Sequence, residues 1–130
     1  MATETGKPSD EAQLRALIDK RVKAVRDKDI DVLMAQHATE VIMFDALNPL
    51  QYTGADSVKE RAAQWFSWYV GPIGYEIRDL EITTGESAAF CHYLYRVSGT
   101  MTNGREVDMW VRSTVCFRKI DGAWRFSNLY

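Results

Sequence analysis

Apolar positions near the start of the chain recur with the period of an α-helix. The spacing predicts a first helix, capped by Ser9 or Asp10, whose buried stripe consists of Leu14, Leu17, Ile18, Val22 and Val25. Arg21 falls inside that stripe. A second, shorter helix is expected after the cap Asp29, with His37 near its end. Its inward positions are Ile30, Leu33 and Met34.

The period changes after the second helix. Residues 41–44 form a short β-branched and aromatic run, which predicts a strand that delivers Asp45 into a loop. A third helix is expected from a cap at Asp56 or Ser57 to a stop at Gly71-Pro72 and Gly74. Its stripe consists of Val58, Ala62, Trp65, Phe66 and Tyr69.

The rest of the chain predicts an antiparallel meander. Asn103-Gly104 is the strongest hairpin signal in it, and Thr84-Gly85-Glu86 and Asp121-Gly122 mark two further turns. The predicted strands are residues 75–82, 88–101, 105–118 and 124–130. Three helices followed by a mainly antiparallel sheet indicate an α+β fold.

Alternation along residues 105–118 separates two faces of the sheet. The set expected to face the helices is Met109, Val111, Ser113, Val115 and Phe117. On the neighbouring strand, His92 shares a face with Phe90, and which face is inward stays open. The outer face is expected to form a homodimer interface through Trp110, Arg112, Tyr93 and Tyr95. The alternative is a sheet edge that the chain's own loops cover.

Length and composition indicate one domain. The chain has 130 residues, of which 46% are hydrophobic and 26% charged, and this is enough for a single core. We expect a disordered leader at residues 1–9 and a domain at residues 10–130. The net charge is −2 and no basic cluster interleaves with aromatic residues, so nucleic acid is not an expected partner.

Targeting and metal-binding signals are absent from the sequence. No apolar run approaches the roughly 20 residues of a membrane helix, and nothing resembles a signal peptide, so we expect a cytoplasmic protein without a membrane partner. Cys91 and Cys116 lack CxxC spacing and are expected to be buried free thiols. Neither a metal site nor a cofactor is expected, because phosphate-binding glycine patterns are missing too.

The arrangement resembles the SnoaL-like, ketosteroid-isomerase-like branch of the nuclear-transport-factor-2-like (NTF2-like) superfamily. The resemblance covers about residues 10–130 and rests on residues 41–45 with Gly54 downstream, 71–77, 110–114 and 117–124. It implies a cone in which a curved sheet wraps the helices around a deep, mostly apolar pocket, commonly in a homodimer. Members of the superfamily include isomerases, cyclases, dehydratases and hydrolases.

The resemblance also assigns positions in the pocket. Asp45 matches the carboxylate that acts as general base in the steroid isomerases. Arg21 stands where those enzymes have a tyrosine that stabilises the enolate oxygen, and Ser113 stands where they have a protonated acid. The sequence therefore keeps the base and changes both oxygen-stabilising positions.

Each candidate residue has a catalytic and a plain interpretation. Asp45 is either a desolvated base beside a cavity or a solvated turn residue. Arg21 is either a partner of Asp45, a clamp for a ligand oxygen, or an aliphatic stem with its head in water. His92 is either a proton donor to a ligand or a structural residue. The remaining candidates line the pocket or belong to the core: Trp65, Tyr69, Ser113, Val111 and Phe44.

The leading hypothesis is a cofactor-independent acid–base enzyme of the isomerase, cyclase or dehydratase type. Its substrate would be a small, hydrophobic, oxygenated molecule in the cone pocket, with Asp45 moving a proton and His92, Arg21 or Ser113 polarising an oxygen. The alternative is a domain without catalytic activity that binds a small molecule or mediates dimer assembly.

Overall fold

The computed structural model describes residues 8–130 and contains an α+β fold. The helices are α1 (Pro8–Asp27), α2 (Ile30–Ala35) and α3 (Ala55–Ser67). The strands are β1 (His37–Phe44), β2 (Gln51–Thr53), β3 (Tyr69–Thr84), β4 (Ala88–Met101), β5 (Glu106–Ile120) and β6 (Ala123–Leu129). Residues 1–7 of the expected leader lie outside the described residues, whereas Pro8 and Ser9 belong to α1.

The six strands form one curved open sheet in the order β2-β1-β6-β5-β4-β3. Neighbouring strands pair antiparallel except β1 and β6, which are parallel. Strands β3, β4 and β5 are the longest, as the meander pattern predicts. The helices pack against one face, so the side chains on that face form the core.

The first two helices follow from the pattern of the sequence. Leu14 and Ile18 are fully buried on the predicted stripe of α1. The helix ends where Lys28 takes a left-handed conformation with φ 56°. Asp29 then caps α2, because its side chain accepts a hydrogen bond from the Val32 amide at 3.2 Å.

Several boundaries differ from the expectation. Helix α3 begins at Ala55 with Gly54 at its cap, so the expectation of a cap at Asp56 or Ser57 is wrong. Strand β1 begins at His37 instead of residue 41. Strand β3 begins at Tyr69, directly after α3, and runs through Gly71 and Pro72, where the sequence suggests a break. It does so because it is an edge strand, which tolerates a residue without an amide proton, and because Gly71 adopts φ 68° beside a register shift.

The register of β4 and β5 settles which face is inward. Tyr93 and Tyr95 lie opposite Ser113 and Val111, on the face that packs against the helices. The expectation that these tyrosines lie on the outer face beside Trp110 is therefore wrong. Alternation places Trp110 and Arg112 on the other face, where both side chains are exposed.

Met109 and one of the two cysteines are less buried than the sequence predicts. Met109 lies opposite the buried Val97, yet it is 52% exposed because β5 pairs with β6 only from Val115 onward. Both cysteines are free thiols, but only Cys91 is fully buried. No helix within residues 8–130 is long and apolar enough to cross a membrane.

Candidate functional site

Asp45 follows β1 and points to the inner side of the sheet. Its carboxylate Oδ2 accepts a hydrogen bond from Arg61 Nε on α3 at 2.8 Å. The side chains of Asp45 and Arg61 are only 17% and 11% exposed. The pair is thus a largely desolvated ion pair between the end of β1 and α3, and the sequence pattern did not predict Arg61 as the partner.

Several contacts fix this pair. The Leu47 amide donates to the other carboxylate oxygen of Asp45 at 3.1 Å. The Arg61 guanidinium lies 4.9 Å from the centre of the Trp68 ring and is held on its other side by the Gln64 side chain at 3.4 Å. The spacing of the sequence does place Arg61 on the inward side of α3, because it lies three residues after Val58 and four before Trp65 on the α3 stripe.

The protonation state of Asp45 follows from these neighbours. Burial acts to raise the pKa of the carboxyl group, but the hydrogen bonds from Arg61 and the Leu47 amide outweigh burial and leave that pKa below its ordinary value. Asp45 is therefore ionised at neutral pH. A carboxylate held in this way is a weaker base than the free, desolvated one that the sequence suggested.

Arg21 does not pair with Asp45. Its Nε and Nη1 atoms are buried and have no hydrogen-bond partner, and its guanidinium lies 5.5 Å from the centre of the Phe126 ring. Of the three interpretations of this residue, the structure removes the ion pair with Asp45. It leaves a half-buried cation, two nitrogens of which are buried and available to an oxygen atom.

Tyrosine side chains lie close enough to Arg21 for its charge to act on them. The rings of Tyr75 and Tyr95 stack at 5.0 Å, and Tyr93 lies 6.3 Å from Tyr95. Burial raises the pKa of Tyr75 and of Tyr95, although the charge of Arg21 acts in the opposite direction on both. The Asp45 charge also raises the pKa of Tyr95. The phenols therefore stay protonated and can donate hydrogen bonds.

His37 is a further buried polar group of this interior. Its ring packs 5.3 Å from Phe126, and Nδ1 donates to the Leu33 carbonyl at 2.9 Å. Burial and then the nearby charge of Arg21 lower the pKa of His37 to about 3. Nε2 of the neutral ring is thus an acceptor, and it is buried without a partner. The sequence suggested only a helix-end residue here.

Two of the predicted site residues lie elsewhere. His92 is exposed on the outer face opposite Thr114, so the expectation that it shares a pocket with Asp45 is wrong. Phe44 is 45% exposed and contacts Tyr130 at 5.0 Å. It alternates with the inward Met43 on β1, and this puts it on the outer side too.

The other predicted lining residues lie on the inner side. Val111 and Ser113 are half-buried opposite Tyr95 and Tyr93, and the Ser113 hydroxyl is 3.4 Å from the Tyr130 carbonyl. Trp65 and Tyr69 make an edge contact at 5.4 Å within the core cluster around Phe66. They line the interior as packed core residues.

The family of the chain follows from its sequence match. Residues 14–129 match the model of the SnoaL-like domain. The chain belongs to the SnoaL-like domain family. No curated protein matches this SnoaL-like domain significantly.

Solved structures share its architecture. An NTF2-like protein of unknown function from Pseudomonas putida KT2440 is 26% identical over 95% of this chain and 85% of its own, with a TM-score of 0.85. A ketosteroid isomerase-like protein from Erwinia carotovora atroseptica SCRI1043 is 18% identical over 95% of both chains, with a TM-score of 0.81. A hexachlorocyclohexane dehydrochlorinase is 13% identical over 93% of this chain and 82% of its own, with a TM-score of 0.82. The last two show the NTF2-like fold alone.

This SnoaL-like domain therefore gathers two kinds of polar group on the inner face of its sheet. One is the paired carboxylate of Asp45, and the other is the set of unpaired donors and acceptors on Arg21 and His37. Within residues 8–130 no group of three or more His, Cys, Asp or Glu side chains could hold a metal ion.

Proposed function

We propose that this SnoaL-like domain binds a small, largely apolar molecule through an oxygen atom that Arg21 holds in the cone interior. The observation that carries the proposal is the pair of buried N–H donors of Arg21 without a partner. Buried N–H donors without hydrogen bonds are costly, so a fold that keeps them gains from a ligand that satisfies them.

The surroundings favour a hydroxyl, phenol or enol over a carboxylate. Such an oxygen accepts a hydrogen bond from Arg21 and also carries a proton for an acceptor such as His37 Nε2. Tyr75 and Tyr95 add an aromatic wall. The ionised Asp45 would repel a ligand carboxylate, because the charge of Asp45 also acts on the nearby Tyr95.

Arg21→Met tests this proposal. We expect 2-naphthol to bind the parent protein at least about tenfold more tightly than 2-methylnaphthalene, and we expect Arg21→Met to abolish that preference. Calorimetric titration of both probes measures it. The variant should also gain about 1 kcal/mol in the free energy of unfolding, because it loses two buried N–H donors that have no partner. An unchanged preference for 2-naphthol in the variant would contradict the proposal.

Acid–base turnover without a cofactor is the second candidate, of the isomerase, cyclase or dehydratase type. The ionised Asp45 on the inner side supports it, as does the likeness in fold to proteins named ketosteroid isomerase-like and dehydrochlorinase. Arg21 would stabilise the enolate oxygen while Asp45 accepts the proton. Because Arg61 weakens the base, only substrates with acidic C–H bonds would react.

Exchange of a carbon-bound proton tests turnover. In deuterated buffer the protein should accelerate hydrogen exchange next to the carbonyl of 2-tetralone, and proton NMR follows the loss of signal. Asp45→Asn should reduce the acceleration by about 10²-fold or more, since the amide is no base. Glu11→Gln is a matched control, because this carboxylate lies in an exposed pair with Arg15. Equal rates for Asp45→Asn and the parent would remove the general-base role.

The homodimer stays a prediction, now without the two inward tyrosines. Trp110 is 43% exposed and Arg112 is exposed beside it on the outer face, which supports association there. We expect Trp110→Asp to convert a dimer into a monomer in sedimentation velocity, whereas Val70→Asp, at an equally apolar exposed site on β3, should leave the dimer intact. A sedimentation coefficient that Trp110→Asp does not change would exclude this interface.

A further inference from the structure

A groove of about 510 Å³ lies on the outer face of the sheet, away from the site described above. It is bordered by the β3–β4 turn, by residues 116–118 of β5 and by Ser127 and Asn128 of β6. Phe90 lies opposite Cys116, and Cys116 lies opposite Asn128. These residues alternate with buried core residues, so the sheet itself separates the groove from Arg21 and Asp45.

A β-bulge shapes one wall of the groove. The register between β5 and β6 shifts after Cys116, which leaves Ser127 as the extra residue of β6. Ser127 is only 7% exposed, and its hydroxyl makes no hydrogen bond to any residue that the structure describes. A hydroxyl that borders a groove and has no hydrogen-bond partner among the described residues is free to bond a ligand there.

The groove also carries an uncompensated positive charge. Arg118 is exposed at its border and lies directly opposite Arg125 in the β5–β6 register. Like charges in this position repel each other. Arg125 donates to the Ala35 carbonyl at 2.6 Å, and none of the ion pairs within residues 8–130 involves Arg118 or Arg125.

The remaining wall is apolar. Phe90 is 46% exposed and offers a ring to solvent at the base of the β3–β4 hairpin. The volume lies within the range of small-molecule sites, which combine apolar walls with a few polar groups that fix orientation. Aromatic wall, unpaired hydroxyl and unpaired guanidinium together fit one chemical class.

We propose that this groove binds a small monocarboxylic acid with an apolar body. The carboxylate pairs with Arg118 and accepts a hydrogen bond from the Ser127 hydroxyl, while the apolar body packs on Phe90. The site is independent of the oxygen site at Arg21, because the two lie on opposite faces of the sheet.

Titration with octanoate tests the groove, with octanamide as the uncharged probe of the same shape. In amide-resolved NMR, octanoate should shift the signals of Phe90 and Ser127, and octanamide should bind at least about tenfold more weakly. Arg118→Gln should weaken octanoate binding about tenfold, and Ser127→Ala should weaken it about threefold. Arg105→Gln, at an exposed arginine in the β4–β5 turn, should leave it unchanged.

Three results would overturn the proposal. The first is equal octanoate affinity in Arg118→Gln and the parent. The second is loss of octanoate binding in Arg21→Met with retention in Arg118→Gln, which would place the acid in the cone interior. The third is octanoate binding that appears only after dilution dissociates a dimer, which would make a second copy of the chain the occupant. The folded state of each variant is checked in the same spectra.

Discussion

Between pH 7 and pH 5, the free energy of unfolding of His37→Asn should fall by about 2 kcal/mol less than that of the parent protein. The pKa of His37 lies at about 3 in the folded state, against an ordinary value of 6.5. Below pH 6.5 the unfolded chain therefore takes up a proton that the folded chain does not, and the folded state loses about 1.4 kcal/mol for each further pH unit. The loss continues until the pH approaches 3, where the folded state titrates too.

Urea unfolding at the two pH values measures this effect. Asparagine can still donate a side-chain hydrogen bond toward the Leu33 carbonyl, and only the difference between the two pH values is compared, so a general loss of packing in the variant cancels. The chain has two histidines, and His92 is exposed on the outer face. His92→Asn is thus the matched control and should retain the parental loss. If all three proteins lose the same stability, His37 is not a buried neutral ring.

Arg61→Met should cost about 2–3 kcal/mol of unfolding free energy at pH 7. The substitution leaves the Asp45 carboxylate desolvated without its cation, which is the costly way to break a largely buried ion pair. The pKa of Asp45 should rise in this variant, because burial then acts with only the backbone hydrogen bonds against it. Chemical denaturation and carbon-detected NMR of the Asp45 carboxyl group measure the two effects.

Asp45→Asn in the Arg61→Met background should recover part of that loss, since no unpaired charge then remains. Arg15→Met is the control, because its pair with Glu11 is 48% exposed on both sides and should contribute less than about 1 kcal/mol.

The lowered pKa of Asp45 also determines how the contribution of the ion pair depends on pH. The pair stabilises the fold above the ordinary pKa of 3.8, and its contribution disappears as the pH falls through the lower folded value. A destabilisation by Arg61→Met that does not decrease as the pH falls below 3.8 would contradict the ion pair as its cause.

Periodicity predicted most of the fold because the patterns are long and local. The stripe of α1, the cap at Asp29 and the Asn103-Gly104 turn each depend on neighbours in the sequence, and all three occur in the structure. The start of β3 at Tyr69 did not follow from the pattern. It depends on the position of β3 at the edge of the sheet, which residues far along the chain decide.

The site was harder to predict than the fold because pairing is a long-range property. The sequence places Asp45 at the inner end of a strand, but the identity of its partner depends on how α3 crosses that strand. The face of β4 was undecidable from alternation alone, since His92 and Tyr93 both have plausible partners on β5. The register places His92 opposite Thr114 and Tyr93 opposite Ser113. It therefore puts Tyr93 on the inner face and excludes His92 from the interior.

The position of β3 at the edge of the sheet also affects how readily the protein could aggregate. A 16-residue strand with one open side could template the addition of further chains and lead to fibrous aggregates. Pro72 offers no amide proton for pairing, and Asp79 interrupts the pleat with φ 59° between the charged residues Arg78 and Glu81. Two positions along the strand therefore disfavour edge-to-edge growth, while the segments of β3 outside the two register shifts stay paired with β4.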